Sequence, residues 1–189
     1  GRAHSAYLLK WNRFYAPRAL YKILDSNLFP RLTKAPFSAM VDGEKINFAP
    51  GTIVIPVNQR DANSNISSEE IYKIVNALAE TDHVEIYATN TATTPTGPDL
   101  GGAFHSVLKK PKVALLSGDG TSSYGVGEIW HLLNYRMGLP VALLNANKLN
   151  THKLSKYNTI IIPDGSYDNL DTTDIIRILW CNIKINKGI

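Results

Sequence analysis

The segment of this chain with the clearest chemical potential is a glycine-rich turn. Gly118–Gly127 (GDGTSSYGVG) follows an apolar strand candidate and opens a helix candidate. The free backbone N–H groups at the start of a helix can hold an anion, so this arrangement favours ligand binding. The alternative interpretation is a tight strand-to-helix turn whose helix is capped by Ser or Thr.

This turn does not meet the common nucleotide-binding or nucleophile patterns. Ser123 stands where the dinucleotide motif needs its third glycine, and Val126 stands where the phosphate loop needs lysine. The GxSxG pattern fails at Ser122, because Tyr124 follows where glycine belongs, and Ser166 lacks both glycines. We therefore assign no catalytic residue.

The sequence also brings too few metal ligands together. Glu128 and His131 lie three positions apart on a predicted helix, but two ligands do not make a site, and the alternative is that they cap or bridge the edge of a sheet. The single Cys181 allows neither an internal disulfide nor a cysteine zinc cluster, and it lies in the apolar helix candidate Ile175–Ile183. We assign no metal ligand and no cofactor.

A second polar segment follows another strand candidate. Asp164–Tyr167 lies at the carboxyl end of that strand, where open parallel sheets bind their ligands. Taken with the glycine-rich turn and its helix, it completes a set of predicted ligand-binding residues. They are Gly118, Asp119, Gly120, Ser122, Ser123, Tyr124, Glu128, His131, Gly165 and Ser166.

The elements that must position these residues alternate between strand and helix. The predicted strands are Ala6–Trp11, Gly51–Val57, Val84–Ala88, Lys112–Ser117, Pro140–Leu144 and Thr159–Pro163. The predicted helices begin near Pro17, at Ser67 or Ser68, near Gly125 and after Asp171. Such alternation is typical of parallel sheets covered by helices.

The pattern restarts halfway along the chain. Thr52–Pro56 (TIVIP) follows Ala6 by 46 positions, and Thr159–Pro163 (TIIIP) follows Lys112 by 47. We therefore predict an α/β protein of two similar parallel-sheet units, residues 1–109 and 110–189. A helix candidate ends the chain without the strand that should follow, so we expect the second unit to be truncated and the chain to be part of a longer protein.

Composition excludes several function classes. The 189 residues are 44% apolar and 19% charged, which is typical of a globular protein. The formal net charge of +4 is spread along the chain without a basic, aromatic stripe, so we do not expect nucleic acid as a partner. No apolar run is long enough to span a membrane.

Three segments carry a resemblance to a known family. Ala6–Leu24 (AYLLKWNRFYAPRALYKIL), Asp99–Gly101 and Lys110–Leu133 (KPKVALLSGDGTSSYGVGEIWHLL) resemble the C-terminal region of large bacterial zinc carboxypeptidases, notably those of Bacteroidetes-type bacteria. The resemblance runs from about Ala6 to Tyr167. The second unit also resembles the flavodoxin-like fold of class I glutamine amidotransferases, through Tyr157–Ser166 (YNTIIIPDGS).

This resemblance implies where the chemistry of the parent protein resides. The zinc ligands and the catalytic glutamate of the family belong to an N-terminal peptidase domain, and none of those motifs matches a residue here. That domain would be the partner of this chain, in a periplasmic or secreted protein. Asp164 replaces the first glycine of the amidotransferase loop, and Cys181 precedes the position of the amidotransferase nucleophile.

Three functional hypotheses follow. The leading one is a non-catalytic accessory region of a secreted zinc carboxypeptidase, in which proteolysis belongs to the parent protein. The second is a small-molecule or peptide-binding module that uses the strand ends near Gly118–Tyr124 and Asp164–Tyr167. The third is an amidotransferase-like hydrolase, which would need a nucleophile elbow after Ile189.

Overall fold

The computed structural model describes residues 1–59, 66–168, 170 and 173. The chain divides between Lys110 and Pro111 into two compact units, and each unit is described by itself. Apart from Thr173, the predicted helix after Asp171 lies outside the described residues, and so does Cys181. Within the described ranges, no helix is long and apolar enough to cross a lipid bilayer.

The first unit contains seven strands and two α-helices among its described residues. The strands are β1 (Ala6–Leu9), β2 (Arg31–Thr33), β3 (Phe37–Val41), β4 (Glu44–Phe48), β5 (Ile53–Pro56), β6 (Ile86–Thr89) and β7 (His105–Val107). The helices are α1 (Ala16–Asp25) and α2 (Ser68–Thr81). Strands β4 and β7 were not predicted, because EKINF and HSV are short and mostly polar.

The main sheet of this unit has the order β6-β1-β5-β2-β7, and every neighbouring pair in it is antiparallel. The predicted parallel sheet is therefore wrong for residues 1–109, and a duplication of two similar units is not confirmed. The hairpin of β3 and β4 turns at Asp42 and Gly43 and lies between β2 and β5 in the chain. Strand β5 then enters the sheet antiparallel to both of its neighbours, β1 and β2.

Burial on both faces explains why the strands of the first unit read as continuous apolar runs. On one face, Tyr7 and Ile55 pack with α1 and α2 through Ile23, Ile71 and Val75. On the other face, the hairpin covers the sheet; its core residues are Ala6, Leu8, Val54, Phe37, Ala39 and Phe48. Such runs are common in parallel sheets because those sheets are covered on both sides. Here an antiparallel sheet is covered in the same way.

Local signals set both helix starts. Pro17 lies in the first turn of α1, as predicted. Ser67 caps α2: its Oγ accepts the N–H of Glu70 at 3.2 Å, and the Glu70 carboxylate accepts the N–H of Ser67 at 2.8 Å. The hydrogen bonds that the Ser67 N–H and the Ser67 hydroxyl donate to the carboxylate lower the pKa of Glu70. The prediction that Ser67 or Ser68 caps this helix is confirmed.

A buried carboxylate joins the two helices. Asp82, at the end of α2, has a fully buried side chain and accepts hydrogen bonds from Arg18 and Lys22 of α1. Their nitrogen atoms lie 2.7 Å and 2.8 Å from the Asp82 Oδ1 atom. A negative charge is unfavourable at the carboxyl end of a helix, and the two cations of α1 offset that cost.

The second unit contains a parallel sheet, as predicted. Its strands are β8 (Val113–Ser117), β9 (Val141–Asn145) and β10 (Thr159–Ile161), in the order β10-β8-β9. Helix α3 (Ser123–Trp130) runs into a π-helical segment (His131–Arg136), and 3-10 turns cover Ala146–Thr151 and Leu154–Lys156. The core on one face of the sheet consists of Ala114, Leu116, Leu144, Leu149 and Leu154.

Candidate functional site

The carboxyl ends of the three parallel strands bring the two predicted polar segments together. Gly118 follows β8 directly, Asn145 ends β9, and Asp164 lies three residues beyond β10. In a parallel sheet these ends share one edge, which is where open α/β sheets bind ligands. This edge is the candidate site, and its residues belong to the second unit alone.

Backbone hydrogen bonds lock the two segments to each other. The N–H of Ser122 donates to the carbonyl of Asp164 at 2.9 Å, and the N–H of Ser166 donates to the carbonyl of Gly120 at 2.7 Å. Thr121 and Gly165 face each other in an antiparallel bridge. The site therefore has a rigid floor, and these two N–H groups are already engaged and cannot bind an anion.

Two glycines make this close approach possible. A Cβ atom on Gly165 would lie 2.1 Å from the carbonyl oxygen of Gly120, and one on Gly120 would lie 2.4 Å from that of Ser166. Gly120 also has a φ of 87°, a conformation that favours glycine. Both glycines belong to the predicted set of ligand-binding residues; in the structure their small size permits the close contact between the two loops.

Two asparagines that were not among the predicted site residues, Asn145 and Asn147, extend the edge. The Nδ2 atom of Asn147 donates to the Asp119 carboxylate at 2.9 Å. The backbone N–H of Asn147 donates to the Oδ1 atom of Asn145 at 2.9 Å, and that side chain lies beside Gly118, 3.2 Å from where a Cβ would stand. The available signal was their position directly after the predicted strand Pro140–Leu144.

The start of α3 is a tight strand-to-helix turn capped by a serine, which is the alternative interpretation of the glycine-rich segment. The Oγ atom of Ser122 accepts the N–H of Gly125 at 3.3 Å and so caps the helix. Ser123 and Tyr124 form the first turn, and the Tyr124 side chain is 86% exposed beside the locked loops. Tyr124 is the residue of the predicted set that is best placed to contact a ligand.

Two of the predicted ligand-binding residues, Glu128 and His131, lie further along the helix and do not contact these loops within the described residues. Glu128 and His131 are both exposed, and His131 stacks on Tyr135 with 5.1 Å between ring centroids. Within the described residues neither side chain forms an ion pair, and no contact supports the interpretation in which they bridge the edge of the sheet.

An aromatic side chain anchors the loop Asp164–Ser166 to the core of the second unit. Tyr167 packs against the core of the second unit, and its hydroxyl donates to the carbonyl of Pro163. Burial and the neighbouring Asp164 carboxylate raise the pKa of Tyr167, so the phenol stays protonated and able to donate. The hydroxyl of Ser166 donates to the Asp168 carboxylate at 2.7 Å.

The side chains do not assemble a metal centre in the part of the chain that the structure describes. No group of three or more His, Cys, Asp or Glu residues there is placed to hold an ion. The described residues therefore do not form the zinc site of a metallopeptidase.

Comparisons with known proteins do not identify a family for this chain. No family model, no curated protein and no solved structure matches the chain. The resemblance to zinc carboxypeptidases and to amidotransferases therefore stays a prediction from the sequence.

Proposed function

We propose that this chain is a non-catalytic accessory region of a secreted or periplasmic zinc carboxypeptidase, and that its second unit binds peptide at the carboxyl edge of the parallel sheet. The observation that carries the binding role is the locked pair of loops, Gly118–Ser122 and Asp164–Ser166, beside an exposed tyrosine. The carboxypeptidase assignment rests on the sequence resemblance.

The use of the two serine hydroxyls supports a role without covalent catalysis. Ser122 accepts a helix N–H as a cap, and Ser166 donates to Asp168. A serine nucleophile instead needs a base, usually histidine, within hydrogen-bond reach of its hydroxyl. The partner of this region would be the N-terminal peptidase domain of the same protein, which would also hold the zinc.

We also propose a flavodoxin-like relationship for residues 111–168. Numbered within the unit, the strand order β9-β8-β10 is 2-1-3, the order that begins a flavodoxin-like sheet. Asp164, in place of the usual glycine, uses its carbonyl to accept the Ser122 N–H.

A peptidase assay tests the non-catalytic part of the proposal. The chain, supplied with zinc and incubated with peptides at high enzyme concentration, is expected to release no amino acid. Zinc-dependent turnover that chelation abolishes would contradict the assignment.

A titration of the labelled chain with N-acetyl-trialanine amide, followed by NMR, tests the binding part. We expect saturable shifts at Gly118–Tyr124 and at Gly165–Ser166. Because an aromatic contact contributes about 0.5–1.5 kcal/mol, Tyr124→Ala should weaken binding about two- to tenfold. Tyr135→Ala is the matched control, since Tyr135 is also exposed (75%) on the π-helical segment that follows α3, and it should leave the affinity unchanged. Equal effects of the two variants would contradict the site.

A further inference from the structure

The first unit contains a cavity of about 280 Å³ on the face of its sheet that the β3–β4 hairpin covers elsewhere. Ala6, Val54 and Pro56 form an apolar floor from strands β1 and β5. Ala6 and Val54 are at least 98% buried, so this floor is a fixed part of the core.

One wall of the cavity is the guanidinium group of Arg31 on β2. Arg31 pairs with Val54 across the sheet, so the two side chains project from the same face. The Nη1 atom of Arg31 donates to the carbonyl oxygen of Gly101 at 3.2 Å. Gly101 has a φ of 96°, and a Cβ there would lie 3.0 Å from Nη1. A glycine at this position therefore lets the backbone hold the guanidinium against the cavity.

The charge of Arg31 is not balanced by the described residues around it. Arg31 forms no ion pair within the described ranges, and the described residues that line the cavity include no Asp or Glu. The polar side chains in the lining are those of His4, Ser5 and Asn58, each of which can donate a hydrogen bond. The cavity thus combines one cation, further donors and an apolar floor.

We propose that this cavity binds the carboxylate group of a small apolar acid or of a peptide C-terminus. The planar guanidinium offers two parallel N–H donors that match a carboxylate, and the substituent of the acid lies on the apolar floor. The volume is just below the range of about 300–1,000 Å³ found for drug-sized ligands, which fits a single amino-acid side chain. The proposal uses no residue of the candidate site in the second unit.

Titration of the whole chain with N-acetyl-leucine, followed by NMR, tests the proposal. We expect saturable shifts at Ala6, Arg31, Val54 and Gly101, and none with N-acetyl-leucinamide, which lacks the carboxylate. Because hydrogen bonds to charged groups are strong, Arg31→Gln should weaken binding at least tenfold. Lys45→Gln removes the same charge from an exposed position on β4 and should change nothing.

A second variant keeps the test decisive if Arg31→Gln perturbs the fold. Ala92 lines the cavity from an exposed loop, so Ala92→Leu should fill the cavity and abolish binding while the melting temperature is kept. A tetrapeptide with a free C-terminus distinguishes the two sources of the carboxylate from each other. Equal binding of acid and amide, tighter binding of inorganic phosphate, or binding that survives Ala92→Leu would overturn the proposal.

Discussion

Two nearly identical segments of this chain occupy different environments. Thr52–Pro56 (TIVIP) supplies β5, which pairs with β1 and β2 inside an antiparallel sheet. Thr159–Pro163 (TIIIP) supplies β10, which pairs with β8 alone in the described part of a parallel sheet. Ile55 is fully buried, whereas its counterpart Ile162 is 48% exposed. A short β-branched run therefore predicts a strand, but neither its direction nor its burial.

The largest predicted effect tests this pair of segments directly. Ile55→Ala should lower the free energy of unfolding of the first unit by about 2–5 kcal/mol, because it leaves a cavity in a closed core. Ile162→Ala should cost less than about 1 kcal/mol, because half of that side chain is already in water. Urea unfolding followed by NMR signals of each unit measures both. Equal losses would mean that the two strands are equivalent after all.

The next prediction compares a carboxylate of each unit. Asp82→Asn should destabilise the first unit by about 1.5–3 kcal/mol, because Arg18 and Lys22 lose a charged acceptor. The loss stays below that of a fully buried pair because both cations reach solvent. Asp119→Asn should change stability by less than about 0.5 kcal/mol, since Asp119 is exposed and the amide oxygen can still accept from Asn147. Thermal unfolding of both variants at pH 7 measures the difference, and a smaller effect at Asp82 would contradict a structural role for this ion pair.

The third prediction concerns the locked loops of the second unit. Gly165→Ala should cost about 1–3 kcal/mol and separate the loops, because its Cβ would lie 2.1 Å from a backbone oxygen. Gly127→Ala, in the open interior of α3, meets nothing within 4 Å and should stabilise the helix by up to about 1 kcal/mol. Hydrogen exchange at the N–H groups of Ser122 and Ser166 reports the lock, and unchanged protection in Gly165→Ala would show that these bonds do not depend on the close contact.

The smallest effect is a pH dependence confined to the first unit. His105 packs edge-on against Phe37, and both of its ring nitrogens are buried without a hydrogen-bond partner among the described residues. Burial lowers the pKa of His105 below 6.5. The nearby Gly102 carbonyl raises this pKa, and the positive charge of Arg31 lowers it further. As pH falls below about 6.5, His105 binds a proton more readily in the unfolded chain than in the folded one. The free energy of unfolding of the first unit therefore falls, by at most about 1.4 kcal/mol per pH unit.

His105→Phe removes this titration and keeps the packing against Phe37. Unfolding measured from pH 7.5 to 5 should therefore show a shallower loss of stability in the variant than in the original chain. Parallel curves for the two proteins would mean that the ring is protonated as easily in the folded state as in the unfolded one.

Local sequence signals accounted for most of the elements and for their ends. The capping box at Ser67, the proline in the first turn of α1, the turn at Asp42 and Gly43 and the cap at Ser122 each depend on contacts within a few residues. Such signals act wherever the segment is placed, and this is why they could be recognised without the fold. Strand β7 had no local signal, since it pairs with β2, which is far away in the sequence. Strand β4 pairs locally with β3 across the turn, but its residues are mostly polar and did not indicate a strand.

The candidate site was predicted only in part for the same reason. The two loops could be placed at one sheet edge because carboxyl ends of parallel strands coincide. The alignment of β8, β9 and β10 brings the backbones of Gly120 and Gly165 into contact. It also places Asn145 and Asn147 at the same edge of the sheet. The sequence did not indicate a role for Arg31, since a single arginine is ordinary until the fold places apolar residues far away in the sequence beside it.

The sequence by itself determined where both helices of the first unit and most of the apolar strands lie, because those preferences come from side chains and neighbours close along the chain. Only the tertiary structure decided the direction of the strands in the first unit, the burial of Asp82 and of the ring nitrogens of His105, and the cavity at Arg31. These features depend on groups far apart in sequence, and continuous apolar runs satisfy a two-sided core equally well whichever way the strands run.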